Sequence, residues 1–423
     1  MRASAWLLAL FGIAVAAALF AGNNQATVTV FWPPYRVDLS LNLVVLLLAG
    51  SFVLLYAALR ALSALFELPR EARRWRLQQK ERALHVSLVD ALSYLMGGRF
   101  IRARKSAEAA LAQERALKAA GEKPANGAQL RALSHLVAAE SAQALQDKAG
   151  RDEHLERALE HSVARTGSHA DLREGAHMRA ARWALDDRDA QVALGWLGEL
   201  PQGAARRTLA LRIKLKAARL AHQTLEALET ARLLAKHRAF SVPAAQSIVR
   251  GLATELLSGA HDTAQLQRAW NSLEASERAM PELAIHAAQR LMALQGDPAL
   301  ARAWLLPAWE RMVEPGSTLG EQQRFKLVRA LESGFASLDG AWLARLEAAQ
   351  QKNPRDPNLQ YLAGMACLQR QLWGKAQLLL TQAALGLQDT GLHRKAWRAL
   401  AELAEKREDP VAAAEAWKRA AEG

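Results

Sequence analysis

A chain of 423 residues can form two or three domains or one elongated array, and its single Cys367 excludes a disulfide framework and any multi-cysteine zinc site. Aromatics make up only 6% of it, Ala and Leu dominate, and β-branched strand formers are scarce after residue 60, so the composition points to helix nearly throughout. The net charge of +13 admits nucleic acid or an anionic membrane surface as partner, but no aromatic platform or reading helix accompanies it, so the membrane surface is the better explanation and no nucleic-acid partner is expected.

Residues 3–21, ASAWLLALFGIAVAAALFA, carry no charge and at 1.5 Å per residue reach about 28 Å, close to the hydrocarbon thickness of a bilayer. A second run, LVVLLLAGSFVLLYAAL (43–59), continues to residue 66 with only Arg60 and Ser63 interrupting it. Residues 1–66 therefore read as a two-helix transmembrane anchor around a short loop at 22–40, in which Trp32 and Tyr35 suit an interfacial aromatic belt. The loop holds one basic residue, Arg36, whereas six follow the second span between 70 and 82, so the positive-inside rule places both termini in the cytoplasm and the loop outside. A cleaved signal peptide is the competing reading of the first run, and it leaves the second span and the cytoplasmic bulk unchanged.

Residues 67–84 form the next expected element, a basic juxtamembrane helix opening near Pro69, which suits a first helical turn. Arg70, Arg73, Arg74, Trp75, Arg76 and Lys80 are its membrane-surface residues, with the cations meeting anionic lipids at roughly 1 kcal/mol each. The plain alternative is a solvated helix, but spacings such as Glu67–Glu71–Trp75 make poor i,i+4 pairs.

Residues 85–423 read as a cytoplasmic helical-repeat domain. Helical segments alternate with breaks such as MGGR (96–99), KAGRD (148–152), LPQGA (200–204), QGDPA (295–299) and REDP (407–410), rich in the residues that end and cap helices. The last pair places Trp397, Leu400, Ala401, Ala404, Ala413, Trp417 and Ala420 at the large and small positions of a tetratricopeptide repeat, where small residues let helices cross closely and large ones fill the wedge. Gly364, Cys367, Ala376, Leu380 and Ala383 match less fully, with Ala376 lying 37 residues before Ala413, and Ala91, Tyr94, Gly98, Ala103, Ala107 and Ala110 open the array. Between 128 and 350 the pattern degenerates, although HMRAARWALDDRDAQVALGWL (177–197) keeps Ala181, Ala184, Ala193 and Leu197. The expected fold is all-α: two N-terminal transmembrane helices followed by an irregular tetratricopeptide-like α-solenoid.

Nucleotide-binding, zinc-protease, serine-hydrolase and Cys-x-x-Cys motifs are all missing, so no catalytic residue and no metal site is assigned, and the protein reads as no enzyme. Cys367 at an inward helix position reads as a buried structural thiol. His154 and His161, seven residues apart on one expected helix face, have spacing for a metal or haem iron, weighed against ordinary surface histidines. Counting from the small positions, His85, Tyr361, Met365, Lys395 and Arg398 fall on the concave face, the usual binding surface of a solenoid.

The spans with FWPPYRVDLS between them, the entry FELPREARRWRLQQKERAL, the pair LVDALSYLMGGRFIRARKSAEAAL and the C-terminal repeats together resemble the proteobacterial HemY family along essentially the full length. That resemblance implies a multi-pass protein of the bacterial inner membrane, associated with haem biosynthesis, that binds haem or porphyrin and scaffolds late-pathway enzymes such as ferrochelatase. It does not imply the flavin-dependent protoporphyrinogen oxidase of the same name, because the dinucleotide-binding fingerprint is missing. The expected function is a membrane-anchored adaptor needing no cofactor, with haem or protoporphyrin as a possible bound ligand. Two rivals are a cytochrome c maturation chaperone, whose periplasmic array conflicts with the charge distribution here, and a general adaptor for envelope or membrane-protein assembly without tetrapyrroles.

Overall fold

A computed structural model describes residues 11–19, 22, 25–121, 126–161, 168–314, 316 and 319–422, in two compact units, Met1–Arg173 and Glu174–Gly423. In the first unit, residues 11–19 are helical (α1), while the rest of the run at 3–21 lies outside the described residues apart from these. The segment expected as a plain loop contains a β-hairpin instead, so the chain is not purely helical. β1 (Thr27–Trp32) pairs antiparallel with β2 (Tyr35–Ser40), from Thr27 opposite Ser40 to Trp32 opposite Tyr35, around Pro33–Pro34, whose peptide bond is cis. Alternating Thr and Val favour a strand. Thr29 Oγ1 also donates to Asp38 Oδ1 across the pair at 2.6 Å, and the Arg36 guanidinium lies 5.6 Å from the Phe31 ring centre.

Ser40 then caps α2, its hydroxyl accepting from the Leu43 amide at 3.3 Å. This helix runs unbroken for 56 residues, Leu41–Met96, passing through Pro69, so the element boundaries expected at 66 and 84 fall inside one rod. Its first 23 residues, Leu41–Ser63, are wholly unburied with mean hydropathy 2.3, and among the described residues they form the one helix long and apolar enough to cross a membrane. At its far end α2 meets α3 (Phe100–Ala119), followed by α4 (Gly127–Ala144) and α5 (Lys148–Glu160). Leu84 and Leu88 of α2 cluster with Ala110 and Leu117 of α3, and Ala91 and Ala107 cluster with Val137 and Ala138 of α4. Ala91, Ala103, Ala107 and Ala110 are completely buried, as their spacing predicts.

The boundary between units falls within α6 (Ser168–Asp186). The second unit continues through α7 (Ala190–Gly198), α8 (Gln202–Ala205), α9 (Thr208–Leu220), α10 (Thr224–Lys236), α11 (Val242–Ser258), α12 (Thr263–Asn271), α13 (Ala275–Arg278), α14 (Pro281–Ala293) and α15 (Pro298–Val313). It ends with α16 (Glu321–Ser333), a 3-10 turn at Phe335–Ser337, α17 (Gly340–Lys352), α18 (Pro357–Gln369), α19 (Trp373–Gly386), α20 (Thr390–Lys406) and α21 (Pro410–Glu422). α9 packs on α10, α14 on α15, α18 on α19 and α20 on α21, while α11, α14, α16 and α18 neighbour one another in that order. These are the helix pairs of a tetratricopeptide-like array, with starts at Thr208, Val242, Pro281, Glu321, Pro357 and Thr390 separated by 33 to 40 residues.

One turn recurs in both units. Gly98, Gln146, Arg188, His222, Arg238, Gln295, Gln371 and Glu408 all take the left-handed conformation, with φ between +53° and +69°. In each case the next amide reaches back to a carbonyl five residues earlier, for example Asp147 to Ala142 at 2.9 Å, Leu372 to Cys367 at 2.8 Å and Asp409 to Ala404 at 3.1 Å. This is the Schellman closure of a helix end, and in Asp147, Asp189 and Asp409 the same residue caps the following helix.

Packing follows the large-and-small logic most tightly between α18 and α19. A methyl group on Gly364 would stand 2.8 Å from Leu380 Cγ and 3.2 Å from its backbone nitrogen, so only hydrogen fits between these helices. Ala401 is completely buried, while Trp397 and Trp417 are half-buried against the core. Elsewhere in the core Trp270 stacks on Trp304 with ring centres 4.9 Å apart. Arg302 is among the largest fully buried side chains: its guanidinium donates to the Gly334 carbonyl and, at 2.8 Å, to that of Ser337, tying down the 3-10 turn.

Candidate functional site

α11 and α14 both carry a proline in their first turn, Pro243 and Pro281, whose fixed φ suits that position. From there polar side chains recur at helical spacing on one face: Ser247, Arg250 and Thr254 on α11, then Glu282, His286 and Gln289 on α14, with Gln322, Gln323 and Lys326 on α16. Together they line a cavity of about 580 Å³ crossing three successive helices. Glu282 Oε1 accepts from Gln323 Nε2 at 2.7 Å and lies 3.6 Å from Arg250. His286 Nε2 is 2.8 Å from Ser258 Oγ, and burial, with the charge of Arg290 beside it, lowers its pKa and keeps the ring neutral. A porphyrin plane needs apolar walls, and of these lining side chains Ile285 alone supplies one. The polar ends of these side chains suit carboxylates and amides.

The residues expected on the concave face divide. Lys395 is exposed and pairs with Glu332 of α16 at 2.9 Å, and Arg398 is exposed one turn further on. Met365 is half-buried against the core. Tyr361 is a correction: it is fully buried, because α16 covers the face of α18 that the repeat count leaves open. Burial, with the Glu332 carboxylate next to it, pushes its phenol far above the ordinary range, so it is a packed neutral group and no surface ligand. Burial likewise pushes the Cys367 thiol up to about 11, as expected of a structural cysteine. His85 is exposed on α2 in the first unit, its Nδ1 2.8 Å from the Glu81 carbonyl. Of the membrane-surface residues, Trp75, Arg76 and Lys80 are exposed, while the side chains of Arg70, Arg73 and Arg74 lie outside the described residues.

Sequence reasoning missed a histidine cluster in the first unit. His154 and His161 of the α5 segment are joined by His135 of α4, whose ring centre lies 5.3 Å from that of His154 and 6.0 Å from that of His161. His135 and His154 are buried, and one Nδ1–H donates to the other Nδ1 at 3.0 Å. Burial, then the charges of His154 and His161, lowers the pKa of His135 to about 3; burial also lowers those of His154 and His161. On α3 and α4 nearby, the buried Glu114 carboxylate pairs with Arg131. Among the described residues no three His, Cys, Asp or Glu side chains converge as a metal group, and the two facing nitrogens are spent on each other. No local pattern announces His135, 19 residues before His154 and on another helix.

Residues 26–146 match the family model described as HemY protein N-terminus, a stretch running from β1 through α4 into the following turn. No curated protein matches the chain. Solved structures similar to it include a chain in the structure of Naa15/Naa10 bound to HypK-THB, 14% identical over 77% of this chain and 57% of that one, with a TM-score of 0.24. Another is the crystal structure of the P58(IPK) TPR domain, 12% identical over 77% of this chain and 99% of that one, with a TM-score of 0.22. Neither superposes closely enough to carry an argument about this chain.

Proposed function

Of a chain that belongs to the HemY family by its N-terminal segment, we propose that it is a membrane-anchored adaptor for late haem biosynthesis in the bacterial inner membrane. The observation that carries the reading is the continuity of α2: the matched segment contains an apolar 23-residue run that passes without a joint into the first hairpin of a helical array. The full proposal has two spans, 3–21 and 43–66, with the N-terminus and the array in the cytoplasm and the basic residues at 70–82 against anionic lipid. The array gathers late-pathway enzymes such as ferrochelatase and performs no catalysis of its own. Haem or protoporphyrin enters as cargo and not as a required cofactor, its propionates meeting the exposed Lys395 and Arg398. The polar lining of the α11–α14–α16 cavity favours a second reading, a general assembly adaptor that recognises protein segments and no tetrapyrrole.

Cross-linking the full-length protein in its native membrane, followed by mass spectrometry of what co-purifies, separates the two. Ferrochelatase or another late haem enzyme is expected among the captured chains; envelope-assembly factors without any tetrapyrrole enzyme overturn the first reading in favour of the second. A reporter fused after Gly423 is expected to be active only in the cytoplasm, and activity confined to the periplasm refutes the orientation.

A further inference from the structure

We infer that the cavity across α11, α14 and α16 is a docking groove for an extended segment of a partner protein, which places an acidic side chain between Arg250 and Lys326. The inference rests on the adaptor reading and specifies what the adaptor grips.

The chemistry of the walls selects this occupant. Lys326 and Gln322 are exposed on α16 and Gln289 on α14, and none of the three has a partner among the described residues. Free carboxamides present a donor and an acceptor each, which matches a peptide backbone offering an N–H and a C=O at every residue. Arg250 and Lys326 approach the cavity from its two outer helices; the one acid among the lining residues, Glu282, is held by Gln323 at 2.7 Å and offset by Arg250 at 3.6 Å. The lining side chains therefore carry two cations against one engaged anion, and the unengaged charge is Lys326. His286 adds no charge, being neutral and bonded to Ser258. An extended chain needs hydrogen bonds along its length and one charge to fix its register, which the free carboxamides and Lys326 supply. α11, α14 and α16 lie side by side, and at about 9 Å per helix spacing the three axes span roughly 18 Å, the reach of five or six extended residues.

The test uses the full-length protein in detergent micelles on an array of synthetic peptides of about ten residues. In each, Asp, Glu, Asn, Gln or Lys is stepped through an Ala/Ser background. The wild type is expected to bind peptides with a central Asp or Glu about tenfold more tightly than their Asn or Gln counterparts at about 0.15 M salt. Lys326→Glu, at an exposed position that leaves the fold intact, is expected to turn that preference toward Lys peptides. Gln289→Ala with Gln322→Ala is expected to weaken all acidic peptides alike. Failure to distinguish Asp from Asn, or an unchanged acidic preference in Lys326→Glu, overturns the proposal. If the array result holds while cross-linking recovers no haem-pathway enzyme, the groove stands and the identity of the partner changes.

Discussion

Acidifying the protein tests the His135–His154 contact most directly. His135 is 4% exposed and its pKa is held at about 3, against about 6.5 for an unfolded histidine. Above the unfolded value both states are neutral there and the contact is fully present. Below it the unfolded chain takes up a proton that the folded ring refuses, so stability falls with pH until the folded value is reached. Going from about pH 7.5 to about pH 5.5, His135 alone removes about 1.4 kcal/mol, a tenfold loss in the closed-to-open ratio of the α4–α5 hairpin. His154 and His161 shift in the same direction and add to it. Asp147, held low by the Gly150 amide and Arg104, begins to lose its contribution only as pH falls into the ordinary carboxylate range, below this window. Hydrogen–deuterium exchange reads the hairpin locally, as protection factors corrected for intrinsic rates at each pH. Peptides from 127–160 are expected to lose at least about tenfold protection on acidification, and His135→Asn, which keeps a polar contact but cannot titrate, to lose about tenfold less than the wild type. Equal protection at both pH values, or an undiminished pH dependence in His135→Asn, refutes the argument.

Packing and turn chemistry give further expectations. Gly364→Ala is expected to destabilise the second unit by roughly 1–2 kcal/mol in urea unfolding, because the added methyl meets Leu380, while Gly195→Ala in α7, with open space around it, stabilises by up to about 1 kcal/mol. Gln371→Gly relieves a left-handed residue between α18 and α19 and is expected to raise stability by roughly 0.5–1 kcal/mol, visible as a higher thermal midpoint. Arg302→Met leaves the Gly334 and Ser337 carbonyls without their donor and is expected to cost roughly 2–4 kcal/mol by chemical denaturation.

What the sequence disclosed, and what it hid, has a physical pattern. Buried alanines such as Ala91, Ala107 and Ala401 were legible because close helix crossing demands small residues at fixed intervals. The recurring turn was nearly invisible: glycine marks only Gly98 of its eight left-handed positions, and Gln, Arg, His and Glu fill the others. Variation of the helix-pair interval between 33 and 40 residues blurs the repeat in the middle of the chain. Lys395 and Arg398 are exposed, but helical period cannot say that α16 lies over Tyr361. His135 and the groove residues of α11, α14 and α16 meet only through tertiary packing, so no single window contains their signal. The hairpin at 27–40 was written in alternating Thr and Val, and proximity to an apolar run concealed it.

The unbroken α2 also acts as a ruler and a clock hand. Between Ser63, where the apolar run ends, and Leu84, where the hairpin core begins, 21 steps of 1.5 Å set a separation of about 32 Å along the axis. The position of the first hairpin relative to the apolar run is therefore set by residue count. Each residue added to that stretch lifts the hairpin by 1.5 Å and turns it through about 100°, so one insertion points it sideways, whereas seven raise it by about 10 Å and return it to within about 20° of its original facing.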